Sequence, residues 1–228
     1  MDMPIEDREF WREVLLAGGA TTLPRWTLDP LPGVGEHVTT LPDDLLVAVR
    51  GLADRLGLPL RTVVLAAHAK VLAAVSGERE VVTGYAAGAG GRLLPCPLTT
   101  APQTWRGLLL EAALVEVDLL WHRDVVVDEL KRELGVAGPS FETVFDPIDR
   151  IDAAVNAGGG LAGDTVLRVG ISDHGGMLRL RYRTDALDAG YVERIAGYHL
   201  AALALMVAGL DAEHRQASLL SPDELIEF

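Results

Sequence analysis

The sequence predicts an α+β or α/β sandwich, in which helices flank a mixed β-sheet. Helix-like periodicity dominates the first half of the chain, strand-like alternation gathers in the second half, and no internal repeat is evident. The 228 residues, 49% of them hydrophobic, suffice for one substantial core. We therefore expect one globular unit.

The first elements follow from apolar periodicity and from glycines. The stretch IEDREFWREVLLAG, which begins at Ile5, predicts a short amphipathic helix that ends at Gly18-Gly19. A loop rich in proline and glycine follows over 24–35, and EHVTTLP predicts a brief strand. PDDLLVAVRGLADRLG then predicts a helix on the core surface, because six apolar residues repeat at helical spacing: Leu45, Leu46, Val49, Leu52, Ala53 and Leu56.

The middle of the chain contains the most apolar helix. TVVLAAHAKVLAAVSG is apolar nearly all round and predicts a central helix that is buried on most sides and ends at Gly77. REVVTGYAAG predicts a strand, whereas Gly88 to Pro102, with three prolines, supports no more than one short strand. Helical spacing returns from Gln103, and a second helix is predicted across 125–134.

The last third is predicted to supply most of the strands. SFETVFD alternates like a half-buried strand. In TVLRVGISDHGGMLRLRYRTD, two alternating runs flank a polar turn at 173–176, which predicts a β-hairpin. The final helix, YVERIAGYHLAALALMVAG, is predicted to begin after an N-cap at Asp188.

Composition argues against several classes of partner and site. The chain has 33 acidic and 20 basic residues, and no basic run that could follow a phosphate backbone, so neither nucleic acid nor an anionic membrane surface is expected as a partner. The single cysteine, Cys96, excludes an internal disulfide framework and fits a reducing cytosol. No signal peptide is evident, and the most apolar stretch, Thr62 to Val75, is too short to span a bilayer. We expect a cytoplasmic protein.

His122 and Asp124 lie in LWHRDVVVDELKRELG, where one predicted helix gives way to the next. They are candidates for an acid/base pair, since a histidine oriented by a carboxylate can move protons near neutral pH. They are also candidates for a cap or an inter-helix hydrogen bond. The spacing supplies neither a nucleophile nor a substrate, so the structural role is favoured.

The other histidines give no catalytic or metal-binding pattern. His174 lies in the SDHGG turn, where these residue types are favoured for backbone reasons. His68 and His199 are expected to be core or boundary histidines with satisfied hydrogen bonds. His37 and His214 have exposed-looking surroundings and no carboxylates at ligand spacing, so we expect no metal.

The sequence also lacks the usual signatures of phosphate binding and nucleophilic catalysis. GGGLAGD near residue 160 is not followed by GK[ST], and a strand rather than a helix is predicted after it. There is no GxSxG motif, and Cys96 lies between two prolines. No cofactor is expected.

Several segments, read in order, resemble the C-terminal lobe of a nonribosomal peptide synthetase condensation domain. FWREVLLAG resembles the helix that opens this lobe, and LPLRTVVLAAHAKVLAAVSGEREVVTGYAAG resembles its long central helix and the next strand. YRTDALDAGYVERIAGYHLAALALMVA, which includes Asp185, resembles its Thr-Asp pair and long final helix, and LLSPDEL resembles the linker that leads into an adenylation domain. The resemblance covers nearly the whole chain and implies a chloramphenicol acetyltransferase-like lobe with a mostly antiparallel sheet.

The resemblance gives the helix junction a counterpart in the family. WHRDVVVDEL occupies the place of its His-Gln-Asp-x-Pro-Phe-Glu motif, with His122 and Asp124 at the first and third positions. GPSFETVFD, with Pro139 and Ser140, replaces a motif that contains Ser-x-x-Pro, and only CPLTT stands in place of Gly-x-Phe-Val-Asn. The resemblance implies that five degenerate motif positions have structural roles: His122, Asp124, Pro139, Ser140 and Asp185.

Condensation in this family depends on an HHxxxDG motif in the N-terminal lobe, whose second histidine assists attack of an amine on a carrier-bound thioester. Neither HHxxxDG nor any HxxxD occurs in the 228 residues. A lobe without that histidine has no evident base to position the nucleophile. We therefore expect no catalytic residue in this chain.

The resemblance implies three candidate functions. The first is a partial, inactive condensation domain over 1–220, with a linker beginning at 221–228, that acts as a platform for an adenylation domain and has a peptidyl carrier protein as a further partner. The second is half of a split acyltransferase, completed in trans by an N-terminal lobe that carries HHxxxDG. The third is a stand-alone acetyltransferase of the chloramphenicol type, in which the SDHGG turn and His174 would stand where those enzymes carry HHxxxDG.

Overall fold

Six helices and six strands make up the part of the chain that the computed structural model describes, namely residues 4–87, 92–138, 140–149, 161, 163–172, 176–221 and 224. The helices are α1 (Ile5–Ala17), α2 (Asp43–Leu56), α3 (Leu60–Ser76), α4 (Trp105–Trp121), α5 (Val127–Glu133) and α6 (Ala189–Ala208). The strands are β1 (Val34–Thr40), β2 (Glu80–Ala87), β3 (Arg92–Thr99), β4 (Thr143–Asp149), β5 (Leu167–Ser172) and β6 (Met177–Arg183).

The strands form one open sheet in the order β1-β6-β5-β4-β2-β3. The pairs β1–β6, β6–β5 and β2–β3 are antiparallel, and the pairs β5–β4 and β4–β2 are parallel. The predicted mixed, mostly antiparallel sheet is therefore confirmed. Strands β5 and β6 are the two arms of the predicted hairpin, although 173–175 of its turn lie outside the described residues.

One face of the sheet carries most of the core because apolar and polar residues alternate along the strands. On β6, Leu178, Leu180 and Tyr182 are buried, while the arginines between them are half-buried. The buried side chains of β4 and β5 continue this face, with Phe145 and Val169 directly paired. Helices α3 and α6 pack against each other and against strands of the sheet, and α4 packs on α3 and β3.

Helix α3 is the buried central helix that the sequence predicts. It begins after Pro59, which fixes an extended backbone, and it ends at Gly77, whose left-handed conformation lets its N–H bond back to the Ala73 carbonyl. Ten of its 17 residues are buried, among them the polar Thr62 and His68. Helix α6 also begins as predicted, because the Asp188 carboxylate accepts a hydrogen bond from the Tyr191 N–H at 2.7 Å.

The 88–102 segment forms more strand than the sequence predicts. Strand β3 has eight residues and includes Pro95 and Pro97, and it pairs along its whole length with β2 at the edge of the sheet. Proline has no N–H, and two prolines spaced by two residues both turn their nitrogens to the free edge, so the ladder stays intact. The sequence prediction underestimated this strand because prolines are tolerated at a sheet edge, and the local sequence does not indicate which strand lies at the edge. Residues 88–91 lie outside the described chain.

Several element boundaries also differ from the predictions by a few residues. Strand β1 begins at Val34, inside the predicted loop, and α5 begins at Val127 rather than at Val125. Strand β4 begins at Thr143 and continues past the predicted end of SFETVFD. Most of the GGGLAGD segment falls outside the described residues.

No single helix among the described residues is both long and apolar enough to cross a bilayer. Helices α2 and α3 reach that length and composition only when taken together, and they are bent by 107° at the break between them.

Gly84 in the middle of β2 tests how closely the sheet is packed on its other face. A Cβ built there would lie 2.5 Å from Cε2 of the Phe141 ring, so Gly84→Ala forces that ring to move. We expect a loss of about 1–3 kcal/mol in the free energy of unfolding, as for other overpacked sites. The matched control is Gly197→Ala in α6, where the added methyl group meets nothing within 4 Å and should stabilise the helix by about 1 kcal/mol. Equal effects of the two changes in urea denaturation would contradict this packing.

Candidate functional site

His122 is held at the end of α4 by residues of α1. Its Nδ1 lies 2.5 Å from Oδ1 of Asp7, and its ring stacks on Phe10 with the centroids 4.4 Å apart. The His122 carbonyl accepts a hydrogen bond from Nε1 of the buried Trp11 at 2.8 Å. Side chain and backbone of His122 therefore both tie α1 to the end of α4.

Asp124, the sequence neighbour proposed as the partner of His122, lies apart from this junction. It is exposed, and the described residues include no hydrogen-bond or ion-pair partner for its carboxylate. The carboxylate that contacts His122 instead comes from Asp7, which precedes it by 115 positions. Spacing within the motif could not identify this partner, because the contact depends on how α1 packs against α4.

The remaining motif positions lie in separate local contacts. Ser140 accepts a hydrogen bond from Nζ of Lys131 at 3.0 Å. Asp185 forms a two-fold ion pair with Arg183 just after β6, and this hydrogen bonding lowers the pKa of the Asp185 carboxyl. Pro139 lies outside the described residues. No hydrogen bond joins His122, Ser140 and Asp185, and their assignment to a degenerate motif stays a prediction.

A chain of hydrogen bonds crosses the core from α6 to β4. The Ile195 carbonyl is 2.8 Å from His199 Nδ1, and His199 Nε2 is 3.1 Å from His68 Nδ1. His68 Nε2 is 3.3 Å from the Thr83 hydroxyl, which in turn receives a hydrogen bond from Thr143 at 2.9 Å. The side chains of both histidines are fully buried, which confirms them as core histidines with satisfied hydrogen bonds.

The chain of bonds has only one consistent direction. A carbonyl can only accept, so His199 Nδ1 carries the proton, and its Nε2 must accept from His68 Nδ1. His68 Nε2 then accepts from the Thr83 hydroxyl. Burial lowers the pKa of His199 to about 4 and the pKa of His68 well below its usual range, so both rings are neutral at neutral pH.

Glu116 forms a second buried polar cluster, between α3, α4 and β2. Its carboxylate accepts hydrogen bonds from the hydroxyls of Tyr85, at 2.5 Å, and Thr62, and it pairs with Nε of Arg61 at 3.0 Å. Burial, together with this carboxylate, raises the pKa of the Tyr85 hydroxyl far above its usual range. The sequence analysis did not identify Glu116. Helical spacing could have done so, because Glu116 falls on the inner row of α4 with Ala112 and Leu119.

The predictions for the other histidines have mixed outcomes. His214 was expected in exposed surroundings, which is wrong: it is buried against the Trp105 ring, and its Nε2 donates to the Pro102 carbonyl at 2.6 Å. The region after α6 folds back onto the start of α4, which short-range polarity does not indicate. His174 lies outside the described chain. Within the described chain, no three His, Cys, Asp or Glu side chains are placed to share a metal ion.

The C-terminal segment is fixed to α6 by a small network that we name the Glu224 clamp: Tyr198, Arg194, Ser221 and Glu224. The Glu224 carboxylate accepts a hydrogen bond from the Tyr198 hydroxyl at 2.8 Å and lies 4.0 Å from Nε of Arg194. Ser221 and Glu224 exchange the two hydrogen bonds of a capping box. Burial, with help from Glu224, raises the pKa of Tyr198 to about 12.

An exposed apolar surface adjoins the Glu224 clamp, and we name it the Trp26 patch: Trp26, Leu28 and Leu31. Trp26 is fixed by its backbone, which bonds to Ala186 and Asp188 at 2.8 Å each, and its ring stacks on Tyr191. The Arg194 guanidinium lies over both rings, 5.7 Å from the Trp26 centroid. Leu28 is completely exposed and Leu31 is 63% exposed. The patch therefore combines a Trp ring that is held by its neighbours with two apolar side chains that are exposed to water.

The chain is similar in part of its sequence, and in its fold, to peptide synthetases. No family model matches the chain. Over 64 residues, a quarter of the chain, it is 44% identical to the AMB antimetabolite synthetase AmbE of Pseudomonas aeruginosa, of which it covers 3%. It superposes with a TM-score of 0.78 on holo-AB3403, a four-domain nonribosomal peptide synthetase bound to AMP and glycine, at 15% identity over 97% of this chain and 20% of that one.

A second solved structure has the same fold. The chain matches the first condensation domain of the calcium-dependent antibiotic synthetase, in complex with a substrate analogue, with a TM-score of 0.70 and 21% identity. The match covers 95% of this chain and 54% of that one, so the chain spans about half the length of that structure. The resemblance to one lobe of a condensation domain of a nonribosomal peptide synthetase is therefore confirmed at the level of the fold.

The direction of the histidine chain predicts the tautomers of three histidines. We expect ¹⁵N NMR at about pH 7 to show His68 and His199 as neutral rings protonated on Nδ1, and His214 as the internal control protonated on Nε2. Below about pH 6.5, His68 and His199 bind protons in the unfolded chain but stay neutral in the folded protein, because burial lowers their pKa. The free energy of unfolding should therefore decrease as the pH falls below this value. A doubly protonated His68 or His199 in the folded protein near pH 6 would contradict this arrangement.

The helix junction predicts different effects for the two carboxylates near His122. Asp7→Ala removes the hydrogen bond between Asp7 and His122 and should lower the free energy of unfolding by about 1 kcal/mol. His122→Ala removes the same hydrogen bond and also the stack on Phe10, so its effect should be at least as large. Asp124→Ala is the matched control and should change it by less than about 0.5 kcal/mol. Urea denaturation of the three variants measures the difference. A larger effect of Asp124→Ala than of Asp7→Ala would instead support a pairing of His122 with Asp124.

Proposed function

We propose that residues 1–220 are the C-terminal lobe of a partial condensation domain of a nonribosomal peptide synthetase, and that this lobe is a structural platform without a catalytic site. In this proposal an adenylation domain packs on the lobe, and residues 221–228 begin the linker towards it. The observation that carries the proposal is the Glu224 clamp, which fixes the start of that linker beside the Trp26 patch.

The clamp holds the start of the proposed linker at a defined place. Glu224 is bound to Tyr198 and lies beside Arg194, and the Arg194 guanidinium also lies over the Trp26 ring. In this proposal, a domain attached through the linker is tethered beside the Trp26 patch. Tethering raises the effective concentration of the domain at the patch, so even a modest patch can hold it.

The Trp26 patch has the composition of a small interface centre. Trp and Arg dominate the binding energy of many interfaces, and here Arg194 holds the Trp26 ring against Tyr191 before any partner arrives. An adenylation domain that covers Leu28 and Leu31 removes two exposed apolar side chains from water. A fixed aromatic ring beside exposed apolar side chains is the arrangement expected of a platform.

The histidines support the absence of a catalytic site on this lobe. His68 and His199 are fully buried and occupied by hydrogen bonds, so neither can reach a substrate without unfolding the core. His122 is engaged by Asp7 and stacked on Phe10. The sequence lacks the HHxxxDG motif on which the family's reaction depends. The proposal places the protein in the cytoplasm, in the biosynthesis of a peptide natural product, with a peptidyl carrier protein as a further partner.

The platform proposal requires that an adenylation domain is encoded after Phe228, and that domain is the probe that tests it. We expect the separately produced adenylation domain to bind this chain in isothermal titration calorimetry, and Leu28→Asp to weaken the binding roughly tenfold, because it places a charge in the apolar centre of the interface. Val47→Asp, which changes an exposed apolar residue of α2, is the matched control and should leave the affinity unchanged.

Three results would contradict the platform. The first is a coding sequence without an adenylation domain after this chain, and the second is an affinity that Leu28→Asp leaves unchanged. The third is peptide-bond formation by this chain alone from carrier-bound substrates, particularly if His122→Ala abolishes it.

A second candidate function is half of a split condensation acyltransferase. The observation in its favour is that the chain spans about half the length of the condensation domain it matches. An N-terminal lobe with HHxxxDG would then complete the enzyme in trans. Co-purification with such a protein, and condensation by the mixture but by neither half, would favour this function over the platform.

A further inference from the structure

The outer side of α4 carries a row of exposed apolar residues that we name the α4 seam: Leu110, Leu114, Val117 and Trp121. These side chains are between 47% and 79% exposed. Their spacings of four, three and four residues are those of the a and d positions of a heptad repeat, which place all four on one side of the helix. The seam runs for three turns and ends beside the His122 junction.

The inner side of α4 is apolar as well. It buries Trp105, Leu108, Leu109, Ala112 and Leu119 against α3 and β3. A helix that is hydrophobic all round is normally covered all round, whereas a helix on the surface of a core normally has one polar side. Helix α4 therefore has the composition of a helix with neighbours on both sides, and the described chain supplies neighbours on the inner side.

The charges beside the seam determine the chemistry of its occupant. Glu111 and Asp118 each follow a seam residue by one position, so both carboxylates lie along the same flank. The opposite flank has the uncharged Ala113 and Leu120. Arg106, near the start of α4, is already paired with Asp211 through two hydrogen bonds, and the exposed Arg123 follows the end of the helix rather than lying along either flank. The open flank is therefore acidic, on a chain whose net charge is −13.

We propose that the α4 seam binds an amphipathic helix of a partner protein, with apolar residues at spacings of three and four and Lys or Arg residues beside them. The apolar row of that helix packs on Leu114 and Val117, and its basic residues meet Glu111 and Asp118. Opposite charges at such flanking positions select partners in paired helices. The inference is independent of the platform, because α4 packs on β3 at one edge of the sheet and Trp26 pairs after β6, beside the other edge.

A second copy of this chain is a poorer occupant of the seam. An antiparallel pair of α4 helices would place the Glu111 and Asp118 flank of one copy against the same flank of the other. Like charges across an interface disfavour association, and each copy adds a net charge of −13. The acidic flank thus discriminates against self-association while it favours a basic helix.

The experiment uses two synthetic peptides of about three heptads, long enough to be helical when bound. Both have leucine at the a and d positions, and they differ only in Lys and Arg or Glu at the flanking positions. We expect the basic peptide to bind this chain roughly tenfold more tightly than the acidic one, and its affinity to fall as salt is raised. Isothermal titration calorimetry gives the affinities, and the fluorescence of the exposed Trp121 should shift to the blue on binding.

Four variants test whether the seam is the site. Leu114→Glu should weaken basic-peptide binding roughly tenfold, because it places a charge at the centre of the apolar row, and Val117→Glu should act alike if the first variant is unstable. Val47→Glu, which changes an exposed apolar residue of α2 outside the seam and the Trp26 patch, is the matched control and should have no effect. Reversal of the flank with Glu111→Lys and Asp118→Lys should invert the preference between the two peptides.

Several outcomes would overturn the proposal. One is a dimer of the unmodified chain in light scattering that Leu114→Glu dissociates, because a second copy would then occupy the seam. Others are equal binding of the basic and acidic peptides, binding that Leu114→Glu and Val117→Glu leave unchanged, and the absence of binding by either peptide.

Discussion

The burial of α3 on nearly all sides is the constraint on which the rest of the molecule depends. The helix carries two polar side chains into the core, Thr62 and His68, and an unpaired buried polar group would cost about 1–3 kcal/mol. Thr62 bonds to Glu116 of α4, and His68 bonds to His199 of α6 and Thr83 of β2. Each partner sits on a different element, so satisfying α3 fixes where α4, α6 and β2 must lie around it. The apolar contacts supply most of the stabilisation, while the polar contacts select one arrangement of the helices.

Much of this arrangement was predictable from short-range patterns, and the rest depends on pairing between distant segments. Helix α3, the β5–β6 hairpin and the start of α6 at Asp188 follow from periodicity, turn residues and a cap, all of which act within a few positions. The full length of β3 was not predictable, because its prolines are compatible with a strand only at the sheet edge. The partner of His122 was equally hidden, since Asp7 is brought to it by the packing of α1. Glu116 is an intermediate case. Its position on the inner row of α4 was predictable from helical spacing, but its partners Tyr85 and Arg61 were not.

The same division explains why the resemblance to a condensation-domain lobe identifies a fold better than a function. Fold follows from the periodic elements and their order, and these match solved structures over nearly the whole chain at 15% to 21% identity. A reaction depends on particular side chains converging, and the described motif positions are dispersed among separate contacts with Asp7, Lys131 and Arg183. The side chains that do converge, around His68 and Glu116, are closed inside the core. The proposed interactions with other proteins therefore rest on the accessible surface, at the Trp26 patch and the α4 seam.

Helices α3 and α4 are similar in length and composition but differ in how much of their apolar surface is covered. Each has 17 residues and each is apolar nearly all round, yet ten residues of α3 are buried against six of α4. Helix α3 shows what such a composition requires, namely neighbours on every side and a fixed partner for each polar group. On α4 the inner side meets that requirement through Glu116 and its neighbours, while Leu110, Leu114, Val117 and Trp121 stay in water. Exposed apolar residues are common one at a time, but four at heptad spacing form a continuous surface of the kind that helices use to bind each other. The acidic flank then selects among helices, because it repels the same flank of a second copy of this chain and attracts a helix with basic residues.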